Sequence, residues 1–134
     1  LGAHTTIDPK QEDVAARFAA VCGRPPDIVV ECVGYPGMLP EAIRLVRKRG
    51  QVLSAGGSYH TVTFTPIDTL VKEISIDFSL AYEVQDFAAV IDAIATNRLK
   101  PQPLITDRIT LDQLPERFEA LRRPSGTCKL LIEI

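Results

Sequence analysis

The residues of this chain best placed for chemistry are glycines that close apolar runs. Gly34 ends residues 27–34 (DIVVECVG), and Gly56 and Gly57 end residues 51–57 (QVLSAGG). A glycine at the carboxyl end of a parallel strand lets a ligand lie against backbone amides with no side chain between them. The same glycine also suits a tight strand-to-helix turn that binds nothing. No GxGxxG phosphate fingerprint occurs in the sequence. Glu31 is the most unusual polar residue, a carboxylate within an apolar strand. It serves as acid or base, or else it is satisfied by nearby backbone N–H groups or a hydroxyl. Cys32, on the same strand, reads as a small buried hydrophobe more readily than as a nucleophile. His4 and His60 fall in turns, with no Cys or acid at metal-ligand spacing. Ser54 has no base beside it, which leaves a hydrolase triad unsupported. Lys129 follows a Ser-Gly turn, where a cation can reach an anionic ligand or merely decorate an edge strand.

These residues need elements to position them. Residues 5–7 read as a short strand. Asp8 and Pro9 then start a helix with a capping-box partner at Gln11, and Val14, Phe18, Val21 and Cys22 give it one apolar face. Gly23, Pro25 and Pro26 stop it. The β-branched run Ile28, Val29 and Val30 predicts a strand covered on both faces. A helix follows with Leu39, Ala42, Ile43 and Val46 on one face, then the strand from Gln51. Strand, helix, strand, helix, strand with tight loops predicts a parallel sheet. Further on, residues 62–64 read as a small strand, 65–71 as a short helix and 74–80 as a strand. A helix over 86–96 ends at Asn97, and 104–109 is strand-like. A helix over 114–122 turns Leu114, Phe118 and Leu121 inward, and 129–134 is the closing strand.

Bulk properties narrow the classes. The chain has 134 residues, 46% of them apolar and 24% charged, with a net charge of −2. Arg44, Arg47, Lys48 and Arg49 read as the solvated last turn of a helix, where the dipole favours cations. No basic surface for nucleic acid stands out, and no run approaches the ~20 apolar residues of a membrane span. Cys22, Cys32 and Cys128 form neither a disulfide framework nor a zinc ribbon, so the expected address is the cytoplasm. Leu1-Gly2-Ala3 reads as a helix exit, which suggests a fragment.

Taken in order, these stretches resemble the carboxyl-terminal part of the medium-chain dehydrogenase/reductase superfamily, in its zinc-containing alcohol, sorbitol and threonine dehydrogenase group. The matching segments are LGA at the start, DIVVECVG, LVRKRG at 45–50, QVLSAGG, LKPQPLIT at 99–106, LDQLPERFEAL at 111–121 and SGTCKLL at 125–131. The resemblance implies an α/β chain holding part of a Rossmann fold, doubly wound and mainly parallel, without its first two strands. Residues 1–82 would be the later part of the dinucleotide-binding domain. Residues 83–134 would return to the catalytic domain.

By the same resemblance, Cys32, Val33 and Gly34 lie near NAD or NADP. Ala55, Gly56 and Gly57 lie beside the nicotinamide ribose and carboxamide, and main-chain groups of Ser79, Leu80 and Ala81 bond the carboxamide. Lys129 approaches the pyrophosphate. The implied parent reaction is zinc-assisted hydride transfer between an alcohol or polyol and the cofactor. The zinc ligands and phosphate loop would lie outside this chain, which alone should bind no zinc and catalyse nothing. The alternatives are a zinc-free quinone or enoyl reductase of the same superfamily, and a self-contained non-catalytic α/β binding module. With its first two strands missing, the strand at 5–7 would lack a neighbour and 27–34 would expose an edge. The chain alone is expected to fold poorly, to oligomerise or to rearrange. The apolar strand at 74–80 suggests that the parent is a homo-oligomer, a dimer or tetramer.

Overall fold

The computed structural model describes residues 2–123 and 125–134; Leu1, set by the sequence at a helix exit, lies outside them. The chain forms two compact units, His4–Ala81 and Tyr82–Ile134 with the first residues. The first unit runs α1 (Val14–Cys22), β1 (Ile28–Glu31), α2 (Met38–Leu45), β2 (Gln51–Ser54), α3 (Pro66–Leu70) and β3 (Ser75–Phe78). Its three strands make one parallel sheet in the order β1-β2-β3, with Ile28 opposite Gln51 and Gln51 opposite Ser75. All three therefore end on the same edge.

Helix α2 covers one face of this sheet. Leu39, Ala42 and Ile43, with Val46 just beyond the helix, pack on Val52 of β2, and Val29, Val62, Ile74 and Ile76 close around them. Alternation along β1 and β2 turns Val29 and Glu31, and Val52 and Ser54, toward this core. The other face of β1 is open: Ile28 is 57% and Val30 54% exposed. The expectation of a strand covered on both faces fails here, because α1 borders that side across a groove, at Val14 and Phe18, without burying Ile28 or Val30. As expected, β1 is an edge, bonded among the described residues to β2 alone.

Several local expectations are corrected. Residues 5–7 and 62–64 form no strand, although Val62 packs on the core. Helix α1 begins after Asp13, whose carboxylate accepts the Ala16 N–H at 2.7 Å. Asp8 instead accepts the Lys10 N–H and the Gln11 side-chain amide in a separate turn. The basic residues straddle the end of α2 and the following loop, and each has an acid: Arg44 pairs with Glu41, Arg47 with Asp27, and Lys48 and Arg49 with Glu73.

The second unit contains α4 (Val84–Ala95), β4 (Ile105–Thr110), α5 (Leu114–Ala120) and β5 (Lys129–Glu133). Asp86 accepts the Glu83 N–H and starts α4 earlier than its apolar spacing predicts. Asn97 takes the left-handed conformation at the other end (φ 57°). Strands β4 and β5 pair in parallel. Ile109 is buried, but Phe118 and Leu121, expected inward, are exposed. A two-stranded sheet offers too little surface to cover them. Among the described residues no helix is long and apolar enough to cross a membrane.

Candidate functional site

Where β1, β2 and β3 end, their exits enclose a cleft of about 470 Å³, within the range of small-molecule sites. Glu31 anchors it. The side chain is 7% exposed, and its Oε1 accepts the N–H groups of Val33 at 2.6 Å and Gly34 at 2.8 Å. Ser54 Oγ lies 3.4 Å from Oε2. The Glu31 main-chain carbonyl accepts the N–H groups of Ala55 at 2.8 Å and Gly56 at 2.9 Å. One residue thus holds two strand exits. The third is tied by the Ser79 N–H, donated to the Ser54 carbonyl at 3.0 Å. Of the two roles the sequence allowed Glu31, the structure supports satisfaction by backbone N–H groups.

The three glycines are not equivalent. Gly34 is left-handed (φ 70°), and a Cβ there would overlap the Gly57 carbonyl oxygen. A Cβ on Gly56 would overlap the Gly34 nitrogen and come within 2.8 Å of Glu31 Oε2. These two let the exits touch each other. Gly57 is different: a Cβ there would meet nothing within 4 Å. The N–H groups of Gly34 and Gly56 are already bonded internally.

Gly34, Ala55, Gly56, Gly57, Ser79, Leu80 and Ala81 all line the cleft. Cys32 and Val33 are exposed on the β1 turn and are not among the lining residues. The expectation of a buried Cys32 fails because the strand proper stops at Glu31. Lys129 opens β5 in the second unit and is exposed. His60, Tyr35, Phe64 and Phe78 also line the cleft. Sequence spacing did not mark them, because they enter from loops and from the end of β3. Ala81 carries a further sign of constraint, a left-handed backbone in a residue with a side chain (φ 54°). Among the described residues no group of three or more His, Cys, Asp or Glu could hold a metal ion.

A sequence model of the family described as zinc-binding dehydrogenase matches residues 1–96. The chain is 33% identical over 122 residues to an uncharacterized zinc-type alcohol dehydrogenase-like protein of Escherichia coli, covering 90% of this chain and 34% of that protein. It is 31% identical over 129 residues to sorbitol dehydrogenase of Gallus gallus, covering 94% of this chain and 36% of that one. The chain therefore spans about a third of the length of these relatives. Its fold superposes on 2R,3R-butanediol dehydrogenase of Bacillus subtilis with a TM-score of 0.84 at 27% identity, covering 96% of this chain and 37% of the other. The parallel sheet is that of a Rossmann-like dinucleotide domain. With well over half its residues matched by the family model, the chain belongs to the zinc-binding dehydrogenase family.

Proposed function

We propose that the cleft receives the nicotinamide-riboside end of NAD or NADP, in a protein that transfers hydride between an alcohol or polyol, or the matching ketone, and that cofactor. The observation that carries this reading is the polarity of the strand exits. The N–H groups of Val33, Gly34, Ala55, Gly56 and Ser79 are bonded within the protein. A ligand at this edge therefore finds these five donors already taken. A phosphate only accepts and would need those donors, whereas ribose hydroxyls and a carboxamide both donate and accept and do not depend on them.

When bound, the dinucleotide supplies the hydride acceptor or donor. The chain binds and orients it. The open side of Gly57 admits close approach, and Ser79, Leu80 and Ala81 offer main-chain groups to the carboxamide. Phe64 and Phe78 line the cleft beside it. Cys32 and Val33 form the rim of the β1 turn, and Lys129 carries a charge of the sign that a pyrophosphate needs. Residues 1–82 are read as the later part of a dinucleotide domain, and 83–134 as a segment of the catalytic domain. The described residues supply no ligand set that fits a zinc ion.

The test is to titrate the complete natural polypeptide with NADH and NADPH by fluorescence and then assay it with polyols. Saturable binding of one of the two, with polyol-dependent reduction of its oxidised form, is the expected result. Binding of neither overturns the reading.

A further inference from the structure

We infer that Glu31 is the positioning residue of this cleft, the single group that sets how far apart the β1 and β2 exits stand and hence where a nicotinamide riboside comes to rest. This rests on the cofactor reading above. A carboxylate that is 7% exposed would ordinarily sit beside a cation. Among the described residues no ion pair involves Glu31; its partners are two backbone N–H groups and one hydroxyl. Both N–H groups belong to the turn that follows β1, at Val33 and Gly34, so the carboxylate shapes that turn directly. The carbonyl of the same residue shapes the β2 exit through Ala55 and Gly56.

The packing leaves no slack between the two exits. Gly34 and Gly56 meet so closely that a Cβ on either would overlap the other exit's backbone, and Glu31 Oε2 fills the remaining space beside Gly56. The side chain is thus wedged between the turns it bonds. Removing it frees two N–H groups and opens a gap at the junction. Gly34 and Gly57 would then shift relative to each other, and Gly57 is the glycine with its open side free for a ligand. A valine or leucine would satisfy the apolar core at this position; only an acceptor reaches both turn amides.

The experiment compares wild type, E31A, E31D and E31Q in the complete natural polypeptide. The probes are the tighter-binding of NADH and NADPH and, as a control, ADP (or its 2′-phosphate where NADPH binds tighter), which lacks the whole nicotinamide riboside. In E31A the dissociation constant for the reduced dinucleotide should rise about tenfold or more, whereas that for ADP should stay within about twofold. Glutamine keeps one oxygen that can accept both turn N–H groups, so E31Q should bind the dinucleotide within about threefold of wild type. Aspartate is one methylene short of the turn and should behave like E31A, which supplies the comparison if E31A does not fold. Equal dinucleotide affinity in wild type and the E31A or E31D variant overturns the inference alone. So does a parallel loss of ADP, which marks a merely structural residue, or a loss in E31Q as deep as in E31A. Failure of wild type to bind any dinucleotide overturns the cofactor reading and this inference together.

Discussion

Gly34 and Gly57 look alike in sequence, each at the exit of an apolar run, yet the fold asks different things of them. Gly34 is left-handed and lies against the Gly57 carbonyl. G34A should cost about 2 kcal/mol or more in urea unfolding, from the left-handed backbone and the overlap together. G57A should stay within about 0.5 kcal/mol, because its methyl enters open space. Equal losses would contradict the distinction. Asp27, at the other end of β1, accepts from Arg24 and Arg47, whose hydrogen bonds hold its carboxyl at about 2, below the ordinary 3.8. A lowered folded-state value adds stability that is full above pH 3.8 and is lost as pH falls through 2. Melting temperatures measured between those limits should fall more steeply in wild type than in D27N, and added salt should shrink the difference. The glycine positions were legible in the sequence; their division of labour was not, since it depends on which backbone lies opposite each missing Cβ.

Helix α2 shows why elements were easier to read than their ends. Its apolar face at Leu39, Ala42, Ile43 and Val46 appears directly in the spacing and becomes the core. Its carboxyl end is closed in a way no local signal announces. Lys72 reaches back so that its Nζ donates to the carbonyls of Ile43 at 2.9 Å, Arg44 at 2.7 Å and Val46 at 3.0 Å. An ammonium there meets the last unpaired carbonyls and the negative end of the helix. K72M should lower stability by about 1–2 kcal/mol in chemical denaturation. A change within error would show that water serves those carbonyls equally well. The start of α1 was misplaced because Asp8 and Asp13 carry the same capping chemistry. Asp13 is the one whose carboxylate caps the helix, and D13A should cost about 1 kcal/mol.

At the scale of the whole molecule, parallel pairing was readable from the alternation of elements, but the coverage of the sheet was not. Covering a face needs a surface from elsewhere in the chain, and the composition of β1 says only that it wants one. The open side of Ile28 and Val30 adjoins a groove lined by Val14 and Phe18. An apolar edge strand of this kind invites pairing with another chain. The 134-residue chain expressed alone should therefore sediment as concentration-dependent oligomers, and V30K should shift it toward monomer; an unaltered monomer at all concentrations would contradict this. The strand exits carry a consequence for another kind of measurement. Amides already bonded inside the protein exchange slowly with heavy water whether or not a ligand is present. A deuterium footprint of cofactor binding should therefore be faint at Val33, Gly34, Ala55, Gly56 and Ser79. A cleft whose nearest amides are spent on the fold itself is nearly silent to a method that listens to hydrogens.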